Sequence, residues 1–264
     1  MEQRKPKIIA FGTLKGGTGK TTVSYNLASK LAEKSKVLLI DVDPQANLTN
    51  VVGVDVTVLD YVSVRDIFEN RKIKPEEVIV EHPISALPNM DIIPSILRLH
   101  LTERTLMSVS GREWLMQNWI MDNMEYLSKY DYIIFDTNPS MSAVNQNAFM
   151  AADSIILVTD IDDNSAMGLD SFAFLWEESR ANLRKEDNIK AVIINNVDER
   201  TNLSKEMKEY LGEREYTVNL SIPAAVVFKN ANADKMPIGL FAPNHKANEI
   251  IDNIVKELTE RGIF

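Results

Sequence analysis

The 264 residues contain no cysteine, which excludes disulfides, Cys-based zinc sites and iron–sulfur ligation. Histidine is almost as scarce: His82, His100 and His245 stand far apart, which argues against a histidine-rich metal centre. No apolar run reaches the roughly 18 residues of a membrane-spanning helix. The first residues, Met1 to Lys7, are polar and lack a signal-peptide core. A cytoplasmic location is the expectation. Positive charge is not in surplus: 29 Lys and Arg face 38 Asp and Glu, a net charge of −9. That excludes a protein coated in positive charge. The acid is unevenly spread, with 12 basic against 13 acidic residues from Ala181 onward and 17 against 25 before it. No linker, internal repeat or low-complexity tract divides the chain. Its length and 45% hydrophobic content suit a single α/β domain over residues 1–264.

What is present is organised around Leu14-Lys15-Gly16-Gly17-Thr18-Gly19-Lys20-Thr21-Thr22. An apolar β-type run, Lys7 to Phe11, precedes it, and Val23, Leu27, Ala28 and Leu31 follow at helical spacing. A glycine-rich turn between strand and helix is the setting of a phosphate loop. Glycines let several N–H groups converge on one anion where a Cβ would obstruct. In that reading Lys20 reaches the β- and γ-phosphates of ATP and the Thr21 hydroxyl holds Mg²⁺. The glycine usual five residues before the last one is replaced by Leu14, and a second lysine, Lys15, precedes the glycine pair. A cation five residues before Lys20 lies at the loop entrance with no evident job in its own subunit.

Three further apolar runs end in, or lead to, side chains suited to the same chemistry. Lys36 to Asp41 reads as a buried parallel strand. It opens into Asp41-Val42-Asp43-Pro44-Gln45-Ala46-Asn47, two carboxylates two residues apart at a strand's carboxyl end. Open α/β sheets bind ligands there, and Asp43, on a turn set by Pro44, suits orienting a water for attack on a γ-phosphate. Asp131 to Asp136 is a strand ending in acid, the arrangement in which an aspartate holds Mg²⁺. Ile189 to Asn195 ends in amides, which either pair with an adenine edge or simply make an Asx turn.

Between these lie less informative segments. Val64–Phe68 and Ile96–Met107 are expected as helices, Pro75 as a helix start, Met90–Pro94 as an edge strand and Val78–Val80 as another. Glu113–Lys129 reads as one amphipathic helix whose Trp114, Trp119 and Met124 stripe is packing. Val144–Asp153 and Ala166–Asn182 read as helices, Ser154–Thr159 as a buried strand, and Asp160, Asp162 and Asp163 as a solvated loop. Asn202–Leu211 is a helix capped by Thr201 or Asn202, and the last helix runs from Asn244 to Arg261. The sum is an α/β fold of P-loop NTPase type, a doubly wound, mostly parallel sheet flanked by helices.

The Lys-Gly-Gly-x-Gly-Lys-Thr form resembles the deviant Walker A motif of the ParA/MinD family of ATPases, and Asp41 to Asn47 is similar to that family's D-x-D-P-Q-x-N motif. The resemblance covers essentially the whole chain. It implies that Lys15 reaches across a homodimer to the partner's nucleotide, that Asp43 is the hydrolytic carboxylate, and that Asp41 stands behind the Mg²⁺ held by Thr21 and Asp136. It places Lys15, Gly16, Gly17, Thr18, Gly19, Lys20, Thr21 and Thr22 on the phosphates and the Ser221–Val226 segment, including Pro223, over the base, for which Asn195 is the amide candidate already noted. The family's usual x-Pro-Pro after the third acid is here Thr137-Asn138-Pro139.

Within the family, the absence of cysteine sets this chain apart from the nitrogenase iron protein. The Lys256–Phe264 end, where acids cancel bases, sets it apart from MinD-type membrane helices, so no membrane partner is expected. It lacks the tyrosine-rich tail of the bacterial tyrosine kinases, and 14 residues before Lys15 leave no room for a helix-turn-helix domain. A small ParA/Soj-like partition ATPase is implied: ATP-bound dimers, nonspecific DNA binding at the nucleoid, slow hydrolysis, and a centromere-binding adaptor, ParB-like or a small ribbon-helix-helix protein. Such DNA binding needs Lys and Arg. Relatives often carry arginines after the Ile-Pro dipeptide, where this chain has Ala224, Ala225 and Val226. Its candidate phosphate contacts are Arg184, Lys185, Arg200, Lys205, Lys229, Lys235 and Lys246. The alternative is a MinD- or MipZ-like positioning ATPase acting on a protein or membrane cargo with little DNA binding.

Overall fold

The apolar runs become strands β1 (Lys7–Gly12), β2 (Val37–Asp41), β3 (Met90–Ile93), β4 (Tyr132–Asp136), β5 (Ser154–Thr159) and β6 (Ile189–Ile194). Helices cover both faces of their sheet, which is why the strands show no polar alternation. The computed structural model describes residues 5–57, 61–162, 165–198, 200, 202–214 and 216–264. All strand pairs are parallel, in the order β3-β2-β4-β1-β5-β6. From β1 the chain steps outward to β2 and β3, returns to insert β4, and then crosses to β5 and β6 on the other side of β1. The register sets Phe11 and Asp41 each beside Asp136. The carboxyl ends of β1, β2 and β4 therefore open into one crevice, the place where such sheets take ligands.

Successive residues of each strand feed opposite cores. On one side Ala10, Ile40, Ile133 and Phe135 pack beneath helices that supply Trp119, Phe149, Phe172 and Trp176. On the other, Phe11, Leu39, Ile134 and Ile156 pack beneath α1 (Lys20–Ala32) and the helix Lys246–Glu260, through Leu27, Ile251, Ile254 and Leu258. Trp119 is 1% exposed and donates its indole N–H to the Ile73 carbonyl at 2.9 Å. This confirms the aromatic stripe as packing.

Several elements differ from expectation. The stretch from Glu113 is not one helix: a 3₁₀ turn, Arg112–Trp114, leads into Leu115–Asp122, and a separate turn follows at Met124–Leu127. Asn123 marks the break, its backbone at φ −113°, ψ 18° outside the helical region, while its N–H and its side-chain amide both donate to the Trp119 carbonyl, at 3.2 and 2.9 Å. The helix expected from Ile96 starts at Leu99. Val78 closes the helix Pro75–Val78, so the expected strand there reduces to one antiparallel bridge between Val80 and Ile92. A helix at Asn47–Val51 was not anticipated. Val64–Glu69 carries a Ser63–Asp66 capping box, and the last helix is capped by His245. Asn202–Gly212 is helical, and Thr201 lies outside the described residues. No helix among the described residues is long and apolar enough to cross a membrane.

Candidate nucleotide-binding site

The loop after β1 has the backbone a phosphate cradle requires. Gly17 and Gly19 adopt φ of 84° and 79°, a left-handed conformation that is cheap only for glycine. At Gly19 a Cβ would also collide with the Asn195 amide. Gly19 precedes α1 with no side-chain cap, so the first N–H groups of that 13-residue helix face the loop. The Thr18 hydroxyl is buried and without a hydrogen-bond partner among the described residues. An orphaned polar atom inside a glycine cradle fits an oxygen-rich ligand.

Asp136 is the hub of the site. It has no exposure, and three side chains of α1 donate to it: Lys20 Nζ to Oδ1 at 2.7 Å, Thr21 Oγ1 to Oδ2 at 2.7 Å and Ser24 Oγ to Oδ1 at 3.0 Å. Helical spacing puts residues 20, 21 and 24 on one face. A buried ion pair stands only when hydrogen bonds offset its desolvation, and Asp136 has them. Lys20 and Thr21 also line the cavity above the loop.

The acids after β2 divide the labour. Asp41 is fully buried. Its Oδ1 accepts from the Asp43 N–H at 3.0 Å, and its Oδ2 accepts from the Thr49 N–H at 2.8 Å and hydroxyl at 2.7 Å. Burial, reinforced by the neighbouring Asp136 charge, pushes its carboxyl up to about 7 against the pull of those bonds. Asp41 thereby ties down both Asp43 and the start of the Asn47–Val51 helix. Asp43 is 5% exposed on the cavity wall, its Oδ1 accepting from the Gln45 N–H at 2.9 Å. Burial raises its carboxyl too.

Lys15 requires a correction. Its Nζ binds both oxygens of Asp160, at 2.8 and 2.9 Å, and a carboxylate oxygen of Asp162. The lysine therefore has a partner within its own chain, and these two aspartates are not simply a solvated loop. Asp163 lies outside the described residues. The physical reason is sheet order: β5 runs beside β1, so its carboxyl end meets the loop entrance. Lys15 keeps 36% of its side chain exposed.

The phosphate cavity, about 730 Å³, is lined by Gly16 to Thr22, Lys15, Asp43, Thr137, Pro139, Asn232 and Lys235, among others. A second cavity of about 490 Å³ adjoins it, walled by Asn195, Asn196, Ile222, Ala224 and Phe228. Asn195 lines this cavity, and its amide donates to the Thr18 carbonyl at 2.7 Å and so clamps the phosphate loop. Pro223 pairs with Val197 in a bridge and is not on the cavity wall, whereas its neighbours Ile222 and Ala224 are. The turn after Asp136 holds without a first proline because the Thr137 hydroxyl donates to the Phe11 carbonyl at 2.7 Å. Asn145 adds bonds to the Asn138 carbonyl at 2.9 Å and the Ser140 carbonyl at 2.8 Å. Sequence reading missed Ser24, Thr49, Thr137, Asn145 and Asn232 as parts of the site. Ser24 was legible as the next residue on the Lys20 face; nothing local marks the others. Of the candidate DNA contacts, Arg200 is held bidentately by Asp198, and half-buried Lys185 donates to the Ala152 carbonyl at 3.0 Å.

Residues 6–189 match the family model AAA_31, described as an AAA domain. The sporulation initiation inhibitor protein Soj of Bacillus subtilis is 31% identical over 261 residues, covering 97% of this chain and 99% of its own. The cell division protein PomZ of Myxococcus xanthus is 32% identical over 260 residues, covering 94% and 77%. A plasmid partition protein of Borrelia burgdorferi, solved bound to AMPPNP, matches with a TM-score of 0.82 at 25% identity over 97% of this chain and all of that one. On this likeness and the architecture of the phosphate loop, the chain belongs to the ParA/Soj-like family of partition ATPases.

Proposed function

We propose that residues 1–264 form one ATP-driven segregation module that binds ATP with Mg²⁺, pairs as a homodimer, holds nonspecific DNA in that state, and resets by slow hydrolysis stimulated by a centromere-binding adaptor. The observation that carries this reading is the convergence of Lys20, Thr21 and Ser24 on buried Asp136, with Asp43 on the same cavity wall. Thr21 and Asp136 form an all-oxygen donor pair suited to a hard cation, with Asp41 behind them. Mg²⁺ held by these residues would neutralise charge on the phosphates.

The chain's own groups do the rest. The Gly17–Gly19 backbone and the start of α1 orient the phosphates, and Lys20 turns its ammonium from Asp136 toward them. With Asp43 Oδ1 held by Gln45, Oδ2 is left to accept a proton from the attacking water. A buried carboxylate with a raised pKa is the better base for that step. Lys15 acts across the dimer after leaving Asp160 and Asp162 for the partner's phosphate. Lys15→Ala is therefore expected to spare ATP binding and lose adaptor-stimulated phosphate release; unchanged stimulation would remove it from that role.

The second reading is a positioning ATPase on a protein or membrane cargo. It is favoured by the intramolecular ties of Arg200 and Lys185 and by the uncharged Ala224-Ala225-Val226 segment. The deciding measurement is binding to nonspecific duplex DNA across a salt series, with ATP and Mg²⁺ present. Segregation predicts binding that weakens steeply with salt; no binding even at low salt leaves the cargo reading.

A further inference from the structure

The phosphate cavity and the cavity beside it share four lining residues: Gly17, Gly19, Thr22 and Asn232. A nucleotide with its triphosphate in the first and its base in the second must pass its sugar through that junction. Two of the four residues are glycines and offer no side chain. Thr22 and Asn232 are bonded to each other: Asn232 Nδ2 donates to Thr22 Oγ1 at 2.9 Å. That leaves the Thr22 hydroxyl proton for a phosphate oxygen, and it leaves Asn232 Oδ1 buried with no hydrogen-bond partner among the described residues. A buried acceptor without a donor costs free energy that a ligand hydroxyl can recover. A ribose carries such donors on its 2′ and 3′ carbons; a phosphate at neutral pH offers essentially none.

We propose that Asn232 is a specificity-determining residue that accepts a hydrogen bond from a ribose hydroxyl, so that the site selects ribonucleotides over deoxynucleotides. The proposal rests on the ATP reading above. The helix Val226–Ala233 carries Asn232 to the junction, and the asparagine's bond to Thr22 couples sugar recognition to the phosphate loop.

The test is a binding titration of ATP, 2′-deoxy-ATP and 3′-deoxy-ATP, each with Mg²⁺, against the wild-type chain and Asn232→Ala. Wild type is expected to bind ATP about tenfold more tightly than at least one deoxy analogue, the size of one buried hydrogen bond lost. In Asn232→Ala that ratio is expected to fall to about one, through weaker ATP binding rather than tighter analogue binding. A residue that merely supports the fold would lower all three affinities and leave the ratio intact. Equal binding of all three by wild type overturns the proposal, as does a preference that survives in Asn232→Ala. If the variant does not fold, the wild-type series alone still decides whether sugar hydroxyls are read. No binding of any of the three is a different result: it removes the ATP reading itself.

Discussion

The two halves of the nucleotide cavity are built on different principles. In the phosphate half, the loop and α1 are contiguous in sequence, and three successive or helically spaced side chains meet one buried carboxylate. In the base half, Asn195, Ile222, Ala224, Phe228 and Asn232 arrive from the end of β6 and from later segments. The first half leaves its backbone N–H groups and the Thr18 hydroxyl to a ligand, and at its junction with the second stands a buried acceptor, Asn232 Oδ1, with no partner among the described residues. Phosphate is the same in every nucleotide and is met by a rigid backbone cradle. A base and sugar must be distinguished from others, and unpaired polar groups provide that discrimination.

Breaking the phosphate half is expected to have the largest effect. Lys20→Ala should abolish measurable nucleotide binding. It should also lower unfolding free energy by about 3–5 kcal/mol, because Asp136 is left buried without its countercharge. Adding Asp136→Asn should restore much of the stability but none of the binding, as read by denaturant melts and titration on the same samples. Asp43→Ala should slow phosphate release about a hundredfold or more while ATP binding persists. Full turnover in that variant would remove Asp43 from the chemistry.

Asn195 joins the halves, and its loss should show as a smaller effect on both. Asn195→Ala removes the clamp on the Thr18 carbonyl and should weaken ATP about tenfold, with ADP affected similarly because the clamp acts on the loop and not on the γ-phosphate. The last expected effect is in the resting protein and is read as stability per unit of pH. Asp41, whose carboxyl burial pushes up to about 7, binds its proton more tightly folded than unfolded. The contribution of Asp41 to stability without nucleotide or Mg²⁺ should therefore be fully present below about pH 4 and be lost as pH rises toward 7, with a slope of at most about 1.4 kcal/mol per unit. Asp41→Asn should flatten that slope in urea melts measured across the range; an unchanged slope would assign it to another group.

Legibility followed the same division. The parallel strands and the three acids at their ends were readable because a strand buried on both faces leaves a continuous apolar run. The packing role of Trp119 was readable from helical periodicity. The break at Asn123 was not, because the apolar periodicity runs on through Met124 and Leu127 while the backbone leaves the helical region at one polar residue. Nor was the partner of Lys15, since Asp160 lies 145 residues away and meets it only because β5 is laid beside β1.

By itself, the sequence determined the glycine-rich loop between strand and helix, the acids at the strand ends, and the fold class. Each of these is a local pattern in which neighbouring residues share one strand, turn or helix face. Tertiary structure decided which groups those residues hold in the resting chain: Lys20 and Thr21 on Asp136, Lys15 on Asp160 and Asp162, Asn195 on Thr18, and Asn232 on Thr22. Each is a contact between elements distant in the chain, set by strand order and by the docking of later helices, which local periodicity does not encode.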